Sequence, residues 1–279
     1  MTIDEHERLG DVYFNQNRLQ MALVEYDKSL QLDPENVRVH YKKGRLFVVG
    51  NVHEDAIREF REVLKREPDH ASAHLGLGEA LFALKKHDEA SSHLHKAVRL
   101  DPKLWKAYNL LGIIYNYQGD YEQAIRKYNA AIALEPDNGL LYNNLGLSYS
   151  LMGDHEGAIQ AFRQALEKTS AYPKIYNNLG LVLSRLGRYE SALEAFRKGG
   201  DEAQAYNNLG CIYLQRGHRS KAIHAFEKAI ESKPTFYKRA GENLKRAKMN
   251  RGYGPPLDPD WKPFNPDWKP LLDTDSGKG

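Results

Sequence analysis

The residues best suited to chemistry in this sequence are asparagines that occur in pairs. Tyr-Asn-Asn-Leu-Gly appears three times, beginning at Tyr142, Tyr176 and Tyr206. An asparagine amide carries both a hydrogen-bond donor and an acceptor, as does every peptide unit of a backbone. A column of such amides can therefore hold an extended peptide with little dependence on its side chains. The peptide-binding residues predicted from this pattern are Asn109, Asn143, Asn144, Asn177, Asn178, Asn207 and Asn208.

A second candidate site is a short basic stripe. Arg38, Lys42 and Arg45 are spaced i, i+4 and i+7, so they share one face if this segment is helical. Together they can bind a carboxylate of a partner. The alternative interpretation is a row of solvated surface charges.

Metal and enzyme chemistry are not predicted. His70 and His74 are close enough on a helix to approach each other, but no acid or thiol cluster accompanies them. The sequence contains no glycine-rich phosphate loop and no nucleophile motif. Cys211 is the single cysteine, so no disulfide within the chain is possible. We therefore expect no metal, no cofactor and no catalysis.

The elements that must position these side chains follow from a repeat. A glycine recurs with five spacings of 34 residues and a last spacing of 30, at Gly10, Gly44, Gly78, Gly112, Gly146, Gly180 and Gly210. An alanine lies twelve residues after each glycine, and a large apolar residue lies four residues after that. These apolar residues are Tyr26, Phe60, Leu94, Tyr128, Phe162, Phe196 and Phe226.

This phased pattern predicts two antiparallel helices per repeat. Helices approach closely only where side chains are small, so the glycine and the alanine are expected to meet at the contact between the two helices. Glycine costs about 1 kcal/mol relative to alanine inside a helix, which indicates that it serves packing. The large apolar residue shares a face with the alanine and is expected to fill the space between neighbouring pairs.

The pattern resembles the tetratricopeptide repeat family, which has small residues at repeat positions 8 and 20, an aromatic residue at 24 and proline at 32. The resemblance implies an all-α, right-handed superhelical solenoid of antiparallel helix pairs over residues 1–250. Repeat 6 is four residues short, and its second helix is expected to stop at Gly199-Gly200. The seven repeats are 3–36, 37–70, 71–104, 105–138, 139–172, 173–202 and 203–236, with a capping helix at 237–250.

The same resemblance implies that the first helices line a concave groove. The asparagines at repeat position 6 are similar to the asparagine ladder in the repeat arm of O-linked N-acetylglucosamine transferases, whose catalytic domain has no counterpart here. The family's two-carboxylate clamp is matched in repeats 4–6 only by Asn144 and Lys174. Lys174 therefore joins the predicted peptide site, and a complete clamp is not expected. At repeat position 4, histidines and tyrosines are expected to pack between adjacent repeats.

Residues 251–279 form a separate segment with six of the twelve prolines. Proline at this density excludes helix and favours an extended backbone. Pro-Asp-Trp-Lys-Pro occurs twice, at 259–263 and 266–270. A segment that only contacts solvent has little use for exposed aromatic side chains, so it is predicted to dock on a partner or on this protein's own groove. The docking residues are Trp261, Phe264 and Trp268.

The charge distribution excludes a broad nucleic-acid interface. The net charge is +3, yet residues 1–236 contain 31 basic and 31 acidic side chains. The sequence shows neither a secretory signal nor an apolar stretch long enough to cross a bilayer, so a cytoplasmic location is expected.

The predicted function is a scaffold that binds a peptide or partner protein, without nucleic acid or membrane insertion. A self-associating assembly platform, with the tail as a tether, is the alternative, and an enzyme is disfavoured. Repeats 6 and 7 also resemble tetratricopeptide proteins encoded with bacterial pilus-assembly systems.

Overall fold

A computed structural model describes residues 1–169, 172–233 and 238–249. These residues form fifteen α-helices and no strand. They belong to two compact units, residues 1–115 and 116–279, and each unit is described by itself. The prediction of an all-α fold built from repeated helix pairs is confirmed.

Each repeat contributes a first and a second helix. The first helices are α1 Ile3–Asn15, α3 Val37–Val49, α5 Ala71–Ala83, α7 Trp105–Gln118, α9 Gly139–Met152, α11 Pro173–Arg185 and α13 Glu202–Gln215. The second helices are α2 Leu19–Leu32, α4 His53–Arg66, α6 His87–Leu100, α8 Tyr121–Leu134, α10 His155–Lys168, α12 Tyr189–Gly199 and α14 Arg219–Ser232, followed by α15 Lys238–Lys248. Within the first unit α1–α2, α3–α4 and α5–α6 pack as pairs, and within the second α9–α10, α11–α12 and α13–α14 do so.

Local sequence signals place the helix boundaries. Thr2 and Glu5 form a capping box at the start of α1, and Asp201 and Gln204 form another at the start of α13. Several turns between paired helices need a left-handed backbone, which glycine adopts without a steric penalty. Gly187, with φ of 75°, occupies such a turn before α12.

The glycine at repeat position 8 lies against the large residue at position 24 of its own repeat. A Cβ atom added to Gly180 would lie 2.6 Å from the Phe196 ring, and one added to Gly210 would lie 2.6 Å from the Phe226 ring. Both rings are buried. Gly10, Gly44, Gly78 and Gly146 repeat this arrangement with Tyr26, Phe60, Leu94 and Phe162.

This contact corrects one sequence-based expectation. The glycine makes room for the large residue at position 24, and Gly78 also approaches the alanine at position 20, since an added Cβ would lie 3.4 Å from the Ala90 carbonyl oxygen. The ring also fills space inside its own helix pair, whereas we expected it between pairs. Phe60 does both, because Gly76 of the next repeat also lies against its ring.

Repeat 6 has a shortened second helix, as its glycine pair predicts. Helix α12 has 11 residues where the other six second helices have 14. It ends at Gly199, and Gly200 continues in an extended conformation with φ of −169°. The last turn present in every other second helix is therefore missing from this repeat.

The histidines at position 4 pair within their own repeats, and His40 and His74 also bond a proline carbonyl of the preceding repeat, as expected of packing between adjacent repeats. His6 Nδ1 lies 2.6 Å from Glu25 Oε2, and His40 Nδ1 lies 2.6 Å from Glu59 Oε2. His40 Nε2 also donates to the Pro34 carbonyl at 2.9 Å. The hydrogen bond to Glu59 raises the pKa of His40, outweighing burial. Stability from this pair is therefore present below pH ~6.5 and is lost as pH rises through the raised pKa.

Repeat 3 has a histidine where repeats 1 and 2 have that glutamate. His74 Nδ1 lies 2.9 Å from His93 Nδ1, and the rings stack with centroids 5.1 Å apart. Since His74 Nε2 donates to the Pro68 carbonyl, its Nδ1 accepts from His93. Burial lowers the pKa of His74, and burial followed by repulsion from His74 lowers the pKa of His93. This repeat therefore loses stability as pH falls below ~6.5, because the unfolded chain then binds more protons.

The glycine contact predicts the sign of two glycine-to-alanine substitutions. Gly180→Ala should destabilise the protein by about 1–3 kcal/mol, because its Cβ overlaps Phe196 and overpacking outweighs the gain in helix propensity. Gly241→Ala in α15 is the matched control, since a Cβ there meets nothing within 4 Å. It should stabilise by up to about 1 kcal/mol. Urea unfolding followed by circular dichroism measures both, and a stabilising Gly180→Ala would contradict this packing.

The histidine pair predicts a pH-dependent gain in stability. His93→Glu recreates the His–Glu pair of repeats 1 and 2 and should stabilise the protein by about 1 kcal/mol or more near pH 5.5. The gain should shrink near pH 8, where His74 is neutral. Exposed His224→Glu is the control. Urea midpoints at the two pH values test the prediction, and an equal effect of His93→Glu at both would contradict it.

Candidate functional site

Three asparagines of the predicted ladder bond to one another between α9 and α11. The Asn178 amide donates to Asn143 Oδ1 at 3.0 Å, and the Asn143 amide donates to Asn144 Oδ1 at 3.3 Å. Asn143 is 1% exposed and Asn144 is 0% exposed. Because both are enclosed, neither presents a free amide to a ligand in this structure. The bond between Asn143 and Asn178 joins repeat 5 to repeat 6. The column of asparagine amides expected to face a ligand therefore does not include Asn143 and Asn144 in this structure.

Asn207 is also used within the protein, by the capping helix. The Asn243 amide of α15 donates to Asn207 Oδ1 at 2.9 Å and lies 3.5 Å from Cys211 Sγ. Asn207 and Asn243 are both buried. Asn243 was not among the predicted residues. The sequence signal for it is an asparagine within an otherwise basic helix, 36 residues after Asn207.

Two asparagines remain open, and they lie on either side of the short second helix. Asn177 in α11 and Asn208 in α13 are partly exposed, and neither has a hydrogen-bond partner in the part of the chain that the structure describes. In the two bonded pairs, the asparagine at position 5 of one repeat accepts a hydrogen bond from an asparagine of the next first helix or of the capping helix, as in Asn143–Asn178 and Asn207–Asn243. The corresponding bond between Asn177 and Asn208 is missing.

The shortened repeat provides the physical reason for this gap. Asn177 and Asn208 are 31 residues apart, whereas the bonded pairs Asn143–Asn178 and Asn207–Asn243 are 35 and 36 apart. The end of α12 also packs on Asn177, since a Cβ on Gly199 would lie 2.7 Å from Asn177 Oδ1. The ladder is therefore open at this one junction of α11, α12 and α13 among the described pairs.

Two further side chains border the open amides on α11. Lys174 is exposed in the first turn and has no carboxylate within 4 Å among the described residues. Leu181 is partly buried against the apolar core of this unit. Together with Asn177 and Asn178, they give α11 a face with one cation, two amides and an apolar surface.

The basic stripe of α3 contacts acids from its own chain. Arg38 lies 3.1 Å from Asp4 and from Glu7, and Lys42 lies 2.8 Å from Glu7 and 2.6 Å from Asp11. Burial alone lowers the pKa of Lys42, but the hydrogen bonds to Asp11 and Glu7 outweigh it and raise that pKa. The expected binding of a partner's carboxylate is therefore corrected for Arg38 and Lys42, because α1 supplies the anions.

The remaining predicted residues are placed differently. Arg45 is exposed and lies 3.5 Å from the Tyr41 hydroxyl. Asn109 belongs to the first unit and is 6% exposed. Trp261, Phe264 and Trp268 lie outside the described residues. None of the described helices combines the length and apolar character needed to cross a membrane.

Comparison with sequence-family models identifies tetratricopeptide repeats along most of the chain. Four such models match, together extending from residue 10 to residue 235. The matched segments are 10–50, 41–104, 94–126, 112–153, 141–199 and 172–235. Comparison with curated proteins gave no match.

Solved structures of repeat proteins are similar to the chain. The MamA protein is 28% identical over 60% of this chain and 91% of its own, with a TM-score of 0.54. PilW, described as a widely conserved type IV pilus biogenesis factor, is 21% identical over 69% and 90%, with a TM-score of 0.63. YrrB, described as having an unusual peptide-binding site, is 22% identical over 67% and 97%, with a TM-score of 0.53. The last two support the fold alone.

The family matches, the repeated helix pairs and the MamA similarity agree with one another. They support a protein-interaction scaffold as the general role. The chain belongs to the tetratricopeptide repeat family.

Proposed function

We propose that this protein is a scaffold that holds an extended segment of a partner protein against α11 and α13. The observation that carries the proposal is the gap in the asparagine ladder. Asn177 and Asn208 have partly exposed amides without partners among the described residues, while Asn143, Asn178 and Asn207 bond within the chain. A polar group left without a partner gains free energy when a ligand supplies one.

A peptide backbone is the ligand that suits these two amides. Asn177 and Asn208 lie on successive first helices, and α12 packs against both of these helices. An extended chain that crosses both first helices can therefore bond the two amides at separate peptide units. Each amide offers a donor and an acceptor, so it can bond both the N–H and the C=O of the ligand.

The surrounding side chains favour particular ligands. Lys174 lies one helical turn before Asn177 and Asn178 and can pair with an acidic side chain. Leu181, one turn beyond, offers a partly buried apolar surface. We therefore expect a ligand that combines an acidic residue with a neighbouring apolar residue, bound mainly through its backbone.

The other roles expected from the sequence stay predictions. A non-catalytic function, a cytoplasmic location and self-association into an assembly platform, including one for a pilus or secretion system, are favoured by no specific contact in the described residues. Light scattering of the purified chain measures its oligomeric state directly.

The open amides predict which asparagines a ligand requires. A library of random linear peptides displayed on phage is selected on the full chain, and the enriched peptide is measured by calorimetry. The double variant Asn177→Ala, Asn208→Ala should weaken binding by about 2 kcal/mol, at about 1 kcal/mol for each net hydrogen bond. Its unfolding midpoint should stay close to that of the parent, because neither amide has a partner among the described residues.

Exposed Asn129→Ala in α8 is the matched control and should leave the affinity unchanged. Failure to enrich any peptide, or unchanged affinity in the double variant, would overturn the proposed site.

A further inference from the structure

Aromatic and cationic side chains form a continuous surface at the turn between α13 and α14, which we call the aromatic–cation edge. It comprises Tyr189, Tyr213, Arg216, His218 and Lys221. The two tyrosine rings have centroids 4.7 Å apart, and His218 meets them edge-on at 6.5 and 6.2 Å. The Arg216 guanidinium lies 6.0 Å from one ring centroid and the Lys221 ammonium 5.7 Å from the other.

The cations of this edge form no salt bridge among the described residues, although Glu190 lies close enough to act electrostatically on Tyr213. Neither Arg216, His218 nor Lys221 has a carboxylate within 4 Å there. Burial, followed by repulsion from Arg216, lowers the pKa of Arg185, so a further cation lies near this turn. In repeat 6 the positions equivalent to Arg216 and Lys221 are Leu186 and Ser191. The charge is therefore a feature of this turn and not of the repeat.

The described chain ends against the same turn. Arg219, the first residue of α14, donates from Nε to the Ala247 carbonyl at 2.5 Å and from Nη2 to the Lys248 carbonyl at 2.6 Å. These bonds hold the last turn of α15 beside the residue that follows His218. Whatever follows Met249 therefore starts next to the aromatic–cation edge.

We propose that residues 255–272 of the same chain dock on this edge. The segment carries Asp258, Asp260 and Asp267 together with six prolines and two tryptophans. Its carboxylates match the cations of the edge, and charge complementarity of this kind selects partners. Proline-rich segments commonly bind to surfaces lined by aromatic side chains, where the backbone is already extended and loses little entropy. Trp261 and Trp268 supply the large apolar contacts.

The length of the connecting segment permits this docking. Trp261 lies twelve residues after Met249, and this stretch spans up to about 40 Å when extended. Helix α13, with 14 residues, is about 20 Å long, so the whole edge lies within reach. Docking here leaves Asn177 and Asn208 free, so this proposal and the proposed peptide site are independent of each other.

Tryptophan fluorescence in the full chain tests the proposal. Trp105→Phe leaves Trp261 and Trp268 as the two reporters, and a synthetic peptide of residues 255–272 gives the solvated reference. Docking should make acrylamide quenching at least about twofold weaker in the chain than in the peptide, because buried anchors exclude the quencher. Adding Arg216→Glu and Lys221→Glu should raise quenching to the value of the peptide.

Controls separate this site from the alternatives. Arg163→Glu with Lys228→Glu changes the net charge equally at other surfaces of the second unit and should leave quenching unchanged, as should dilution. Circular dichroism checks that every variant keeps its helices.

Quenching equal to that of the free peptide, or quenching that is unchanged by Arg216→Glu with Lys221→Glu, would overturn the proposal. Release by Asn177→Ala with Asn208→Ala would place the tail on α11 and α13, and protection lost on dilution would place it on a second copy. Either result overturns docking at the edge.

Discussion

The contact on which the rest of the structure depends is the packing of a large side chain at position 24 against the glycine at position 8, which six of the helix pairs show. Because a Cβ at the glycine would lie less than 3 Å from that side chain, only glycine permits this approach. The contact fixes the distance between the two helices and the rotation of the first helix about its axis. That rotation decides which side chains of the first helix face the adjacent repeat and which face solvent.

The asparagine ladder follows from this fixed geometry. When a repeat has the regular 34 residues, the amide at position 5 lies close to the next first helix and forms a hydrogen bond with it, as Asn143 does with Asn178. Leaving a buried amide without a hydrogen bond would lower the stability of the fold. Buried amides of the ladder are therefore paired across adjacent repeats. Repeat 6 lacks the last turn of its second helix, and the next amides along the ladder, Asn177 and Asn208, have no partner among the described residues. The proposed peptide site rests on this shortened helix.

The sequence predicted the helices well, because each depends on residues close together in the chain. The 34-residue period, the capping residues and the end of α12 at Gly199 are all local. The partners of side chains were harder to predict, because they lie far apart in sequence. His74 meets His93 19 residues later, and Lys42 meets Asp11 31 residues earlier. The contact of the large residue at position 24 with the glycine of its own repeat was also not predicted, since periodicity gives the residues that share a helix face but not their neighbours on the other helix.

The side-chain amides of Asn177 and Asn208 have no hydrogen-bond partner among the described residues, whereas the amide N–H groups of Asn143 and Asn243 donate hydrogen bonds. Exchange of side-chain amide protons with water, measured by nitrogen-15 NMR on the unliganded chain, tests this directly. We expect fast exchange for Asn177 and Asn208 and slow exchange for Asn143 and Asn243, whose buried amide N–H groups donate to Asn144 and Asn207. Equally slow exchange at all four would show that the ladder is closed throughout and would contradict the account.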